Sequence, residues 1–367
     1  MLYVIGFVCI SVAFVFYKGS FSQLSERLNV FNYLHTDKER LILWSKSISL
    51  IKSHMFFGVG AGNWQIVYPN SSIVGLDRVE FSNITFQRPH NDFLWIISES
   101  GLTGFFFYII VLFALIFCSI KYILSKNNYS YKMQILILTC FLSGYLVISF
   151  FDFPRERIEH IILFNTIIGI IYSMLDNEFK FKSLTIFKIK KIYFGLLIMP
   201  IFILITYIGA KRYHGESNSK QLYYYMDKGQ TNNALNSFEA AYSIFFTIDP
   251  TSIPLHWYRG TLNFQMEKYS EALSDFQKAY TYNPYNKNVL NDLASSYEKN
   301  GNHNKAKELY NESLRISPNF NDPKLNLSAI YFKEGNYIKA LDVIKTVSDG
   351  DDRKKHFYDI IVSHLHK

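Results

Sequence analysis

Four runs in this chain carry no charged residue over a length that matches a lipid bilayer: residues 1–17, 101–120, 133–151 and 192–210. A fifth, 158–175, is apolar after Glu159 and His160. As helices, uncharged runs of about 17–25 residues span a hydrocarbon core of roughly 30 Å. Backbone in hydrocarbon must satisfy its own N–H and C=O groups, and a helix does so within one segment. Residues 1–17 lack a basic n-region and a small-residue cleavage site before Tyr17 and Lys18, so they read as a span rather than a signal peptide. Pro200 falls mid-span, a position that membrane helices tolerate. The expected fold class is all-α: a polytopic transmembrane helical bundle of about five spans, followed by a polar C-terminal α-solenoid.

The distribution of charge gives these spans a direction. The formal charge is +8, and much of it lies in short segments between apolar runs, which points to topology control and away from nucleic acid. Segment 121–132 holds Lys121, Lys126 and Lys132, and segment 176–191 holds Lys180, Lys182, Lys188, Lys190 and Lys191. Segment 152–157 holds only Arg155 and Arg157. The positive-inside rule puts the two lysine segments in the cytoplasm. Loop 18–100 and everything after 210 are then expected on the outer side, although Lys211 and Arg212 pull the other way. Cys9, Cys118 and Cys140 all sit in apolar runs, with no disulfide framework or zinc spacing, and read as packing residues. No metal or cofactor is expected.

After residue 210 the chain turns polar and periodic. Ala272, Ala306 and Ala340 recur every 34 residues, as do Pro284 and Pro318, while Phe276, Tyr310 and Ile344 hold a second register. Gly301 and Gly335 mark a turn between paired helices. This pattern resembles the tetratricopeptide repeat, in which small residues let helices approach and stacked pairs bury a continuous core. A degenerate earlier copy runs through "KGQTNNALNSFEAAYSIFF", with Ala234, Phe238 and Ala241 in register. Two domains follow: a membrane domain, 1–210, and a repeat domain, 211–367. The repeats read as a binding surface for a protein partner, and their aromatic residues as core.

Loop 18–100 is long for a connection, and such loops are either functional or disordered. "ERLILWSKSISLIKSH" sets Leu41, Trp44, Ile48 and Ile51 at helical spacing, which suits an amphipathic helix on the membrane or on other spans. "GVGAGN", residues 58–63, has the glycines of a phosphate cradle. It lacks both a following Gly-Lys-Ser/Thr and a preceding strand, so a helix stop and tight turn is the better reading. In "RPHNDFLWIISES", Asn91 or Asp92 suits a helix cap, which accounts for that pair without chemistry. Arg88 and His90 precede the cap near the outer end of span 101–120, at headgroup depth. An arginine fork donates two hydrogen bonds to phosphate oxygens, and a histidine exchanges a proton near neutral pH. Glu99 reads either as a group orienting a donor or as a solvated helix-end charge.

Five motifs occur in order: R-x3-W at Arg40 and Trp44, GVGAGN at 58–63, HNDFL at 90–94, ESGLTG at 99–104 and FDFP at 151–154. Together, across residues 18–175, they resemble the O-antigen ligase and O-antigen polymerase superfamily of bacterial membrane proteins. The resemblance implies transfer of a glycan from undecaprenyl diphosphate to an acceptor glycolipid, glycan or protein. Transfer would occur at the periplasmic face of the inner membrane, without nucleotide sugar or metal. It implies catalytic roles for His90, as the loop histidine, and Arg40, in the R-x3-W helix. Arg27 and Arg88 would make further phosphate contacts, and with Asn91 and Glu99 they complete the substrate-binding candidates. Family members with appended tetratricopeptide repeats fit the C-terminus. The family has many more spans, most of them before the large loop, so this chain is expected to be truncated at its N-terminus. The rival expectation is a non-catalytic membrane anchor that displays repeats to a cell-envelope complex, for which loop 18–100 would be dispensable.

Overall fold

The computed structural model describes residues 31–81, 85–125, 129–179 and 191–365. The expected first span, 1–17, and the candidate Arg27 lie outside these residues. Among the described residues the regular structure is helical, apart from two isolated bridges near residues 243–254.

Helix α1 (Phe31–Ser53) contains the predicted amphipathic stretch. Its buried stripe is Leu43, Ser47 and Leu50, whereas Leu41 and Ile48 face outward. The stripe is set by the loop that folds back on it: Trp64 Nε1 donates to Ser47 Oγ at 3.0 Å. Trp64 opens the short helix α2 (Trp64–Val67) and stacks on Tyr68 with ring centroids 4.5 Å apart. Tyr68 begins a 3-10 turn (Tyr68–Ser71), and its hydroxyl accepts from the Phe86 N–H at 3.2 Å. Helix α3 (Asp77–Glu80) is tied to α1 by Arg78, whose Nε and Nη2 both reach Glu39 Oε2, at 2.8 and 2.6 Å.

Among the described residues, three helices are long and apolar enough to cross a membrane: Asp92–Leu124, Tyr129–Phe151 and Ile158–Asp176. They belong to α4 (Asp92–Leu124), α5 (Tyr129–Phe151) and α6 (Ile158–Phe179). Leu112, Ile135, Leu142, Phe164 and Ile171 form their shared core. Phe106, Phe107, Phe113, Phe117 and Phe141 are exposed on the outer faces, a load of apolar surface that a bilayer would cover. Helix α4 is broken at Gly101, where φ is 66° and ψ is −173°, so a short helix ending at Ser100 meets the span proper.

Helix α7 (Lys191–Asp227) has 37 residues and is about 55 Å long. It holds the uncharged run 192–210 and Pro200, and it passes without a break through the expected domain boundary at 210. Its far end buries Leu222 against Ala234 and Phe238 of α8 (Thr231–Ala241), the stretch expected to hold a degenerate first repeat. The paired helices α9 (Leu255–Gln265) and α10 (Tyr269–Tyr282), α11 (Lys287–Lys299) and α12 (His303–Ile316), and α13 (Asn321–Lys333) and α14 (Tyr337–Lys345) follow, with α15 (Asp352–Leu365) closing the stack. Ala272, Ala306 and Ala340 are fully buried, as the 34-residue register predicts. Gly301 and Gly335 take φ of 84° and 78° in the inter-helix turns, a region that costs glycine nothing. Asn302 and Asn336 then cap the next helices by accepting from Lys305 N and Lys339 N.

The loop and the repeats share a core. Trp64, Tyr68, Ile73, Leu76 and Val79 belong to one buried cluster with Phe276, Leu290, Tyr310 and Ile316. The seam is also hydrogen-bonded: Ile73 N–H donates to Ile316 C=O at 2.9 Å, and Arg315 reaches the Asn70 backbone and side-chain oxygens at 2.6 and 2.7 Å. Lys287 Nζ donates to the carbonyls of Val79 and Glu80 at 2.9 and 2.6 Å. A cavity of about 30 Å³, room for roughly one water, lies in this seam beside Lys287 and Ile316, away from the histidine and arginines considered next.

Candidate active site

The site is built where α1, the segment before α4 and the turn between α5 and α6 meet. Asn91 is the cap of α4: its backbone is extended, and Oδ1 accepts from Leu94 N at 2.9 Å. The cap turns Asp92 inward, and it leaves His90 in the left-handed region at φ 54°. Histidine enters that region more readily than most residues, but a non-glycine residue there marks a constrained position. Trp44 of the R-x3-W helix donates from Nε1 to the Pro89 carbonyl at 2.9 Å and packs edge-on against Phe150 at the end of α5. The arginine one turn before it, Arg40, is thereby brought to the histidine loop.

His90 lies edge-on to Phe153, with centroids 5.0 Å apart, and its Nδ1 is 3.9 Å from Asp152 Oδ1, too long for a hydrogen bond. Burial pushes its pKa below the usual histidine value. The Arg40 charge acts in the same direction, and Asp152 opposes both. The imidazole is therefore neutral at neutral pH, the form that accepts a proton or a hydrogen bond. Arg88 pairs with Glu156, donates to Gln87 Oε1 at 2.6 Å and lies 4.4 Å above the Phe153 ring. Burial pulls its pKa down, but an arginine stays charged.

The turn after α5 supplies groups that the sequence reading used only for topology. Arg157 donates to Asp152 at 2.8 Å and also lies over Phe153. Arg155 stacks on Trp95 at 4.4 Å, and its backbone N–H donates to Asp92 Oδ2 at 3.1 Å. They stand one and three residues after the FDFP motif, and that position was the available signal. Arg88 and His90 thus lie around Phe153 beside Asp152 and Arg157, with Arg40 near enough for its charge to act on His90.

Glu99 is placed elsewhere. It is buried, and its Oε1 accepts from Gly62 N at 2.9 Å and Trp64 N at 3.4 Å, so it anchors the GVGAGN turn to α4. Backbone bonds complete that seam: Val59 N to Ser98 O, and Gly60 N to Glu99 O, both at 2.9 Å. Gly58 and Gly101 both have φ of 66°, and a Cβ on either would collide with the facing backbone, at Glu99 and Phe56 respectively. The glycine motif is a turn, as its sequence context predicts, and here it serves close backbone approach. Among the described residues, no three His, Cys, Asp or Glu side chains converge as a metal site requires.

Residues 1–109 match the family model described as O-antigen ligase, and residues 263–319 match that of the tetratricopeptide repeat. The chain thus carries an O-antigen ligase domain at its N-terminal end and tetratricopeptide repeats at its C-terminal end. A TPR repeat-containing protein, YpiA of Bacillus subtilis (strain 168), is 33% identical over 89 residues, which is 24% of this chain. The chain spans 21% of that relative's length. Among solved structures, a tetratricopeptide repeat protein of Parabacteroides merdae aligns over 42% of this chain and 60% of its own, with 22% identity and a TM-score of 0.36. A structure of MamA aligns over 41% and 78%, with 20% identity and a TM-score of 0.32.

Proposed function

We propose that the chain transfers a glycan from an undecaprenyl-diphosphate-linked donor to an acceptor hydroxyl at the periplasmic face of a bacterial inner membrane. The observation that carries this reading is the meeting of Arg40, Arg88 and a neutral His90 at the ends of apolar helices, in a chain with an O-antigen ligase domain. In one displacement the acceptor oxygen bonds to the anomeric carbon as the bond from that carbon to the diphosphate oxygen breaks, which inverts the configuration. The electron pair leaves with the diphosphate. Arg40 and Arg88 offset that charge, the kind of electrostatic support that grows as the transition state forms. The acceptor's proton passes to His90 in one version; in the other, the His90 N–H donates a hydrogen bond to the diphosphate, and the acceptor's proton passes to a diphosphate oxygen as the old bond breaks. A glycolipid, glycan or protein hydroxyl meets this chemistry equally, and no metal or nucleotide is invoked. The repeats would then hold a protein partner, or the loop itself. A purely scaffolding anchor is the second reading, supported by the tetratricopeptide match.

The test is transfer from a lipid-linked donor in membranes containing matched amounts of protein. Arg40→Lys keeps the charge but loses the planar fork, so it should be nearly as inactive as Arg40→Ala. Full activity in both variants would remove Arg40 from the site, and absence of transfer by the wild-type chain would leave the scaffold.

A further inference from the structure

Since Asn91 caps α4, the Asp92 carboxylate beside it is free for another use. Asp92 is 1% exposed, and only Oδ2 is engaged, by the Arg155 N–H. Oδ1 is buried and meets no donor. Ser149 of α5 is fully buried, and its Oγ lies close to the Asp92 carboxylate and the Tyr145 hydroxyl but outside hydrogen-bond geometry with either. Trp95, one turn along α4 and stacked under Arg155, holds its indole N–H buried and unpaired. The Tyr108 and Tyr145 side chains are close enough to sense the Asp92 charge. Buried polar atoms in proteins are overwhelmingly paired, so an orphan acceptor, an orphan hydroxyl and an orphan donor around one arginine need an explanation. Carboxylate, hydroxyl and aromatic faces together are the chemistry that recognises a sugar: hydroxyls bond to the polar atoms while ring C–H groups lie on the aromatic surfaces.

We propose that Asp92 and Ser149, flanked by Trp95 and Tyr145, form a sugar-hydroxyl niche that positions the reacting glycan against His90. The proposal rests on the glycan-transfer reading above and names the groups that would orient the sugar. Asp92 Oδ1 accepts from one hydroxyl, and Ser149 donates to or accepts from its neighbour. Asp92 is two residues from His90 and Ser149 is three from Asp152, so a sugar held here lies next to the His90–Asp152 pair.

Detergent-purified full chain is titrated with methyl glycosides of glucose, galactose and N-acetylglucosamine, with tryptophan fluorescence and thermal midpoint as readouts. At least one glycoside should give saturable quenching, weakened about tenfold or more in Asp92→Asn and Ser149→Ala, because hydrogen bonds to a charged group are strong. Ser149→Ala is the decisive variant. Removing a hydroxyl that the fold leaves unpaired should keep or raise the thermal midpoint in the absence of sugar. A lowered midpoint, or binding unchanged in both variants, or no saturable binding to any glycoside, overturns the niche. His90→Ala should bind the same glycoside as wild type while losing transfer. If instead it transfers normally and the niche variants still lose binding, the niche stands and the transfer mechanism falls. Kinetics of Ser149→Ala distinguish the source of the sugar: a raised KM for the lipid-linked donor or for the acceptor identifies which one occupies the niche, and neither rising overturns it.

Discussion

At the residue scale, His90 has two properties that separate with the right substitutions. Its φ of 54° suits asparagine as well as histidine, whereas alanine pays about 1 kcal/mol more for the left-handed region. His90→Asn should therefore keep more thermal stability than His90→Ala, while both lose transfer by about 100-fold or more, the usual scale for an acid–base group. Activity that merely follows stability across the pair would make His90 a loop residue without a chemical role. Its titration gives a second check. Burial lowers the folded pKa, so above the unfolded value of about 6.5 the ring is neutral in both states. As pH falls below that value the unfolded chain takes up the proton first, and stability is lost until the folded pKa is passed. Thermal melts at pH 7 and pH 5 should show a smaller drop in His90→Asn than in wild type. Sequence alone placed the polar cluster but not its division of labour. Asn91 and Asp92 are equally good caps on paper, and only the fold shows which side chain turns back to Leu94 and which turns inward.

At the element scale, uninterrupted apolar length made the spans legible, and the 34-residue period made the repeats legible. The face of α1 was legible only in part: Leu43, Ser47 and Leu50 are buried because Trp64 returns to that stripe from 14 residues or more beyond it, a contact without local signature. The seam between GVGAGN and ESGLTG was hidden for a similar reason. It consists of backbone hydrogen bonds, and its only trace in sequence is glycine where a Cβ cannot fit. Gly58→Ala and Gly101→Ala should each cost about 2–5 kcal/mol, combining the left-handed penalty with collision against rigid backbone. Gly62→Ala shares the positive φ but meets no atom within 4 Å, so it should cost only about 1–2 kcal/mol. Thermal midpoints of the three variants in detergent test this order. A Gly62→Ala as damaging as the other two would show that backbone conformation, not the seam, sets the cost.

At the scale of the whole molecule, contacts between distant segments fix which parts share a compartment. Loop residues 70–80 hydrogen-bond to repeat residues 287–319, so loop and repeats lie on one side of the membrane. Arg88 pairs with Glu156, which puts the α5–α6 turn on that side too. From the loop, α4 crosses away and α5 returns; α6 crosses away again, and the chain must cross once more to reach the repeats. The uncharged half of α7 is the segment that can do so, at 19 residues and about 28 Å. These contacts separate the loop and repeats from segments 121–132 and 176–191, the same separation that the lysine bias implies. Single cysteines at Ser71, Tyr129 and Ser363, in a background lacking Cys9, Cys118 and Cys140, test it with a membrane-impermeant maleimide. In intact spheroplasts Ser71→Cys and Ser363→Cys should react, and Tyr129→Cys should react only after permeabilisation. Labelling of Ser71→Cys without Ser363→Cys would rule out the loop–repeat contact, and labelling of Tyr129→Cys with neither would invert the whole molecule in the membrane.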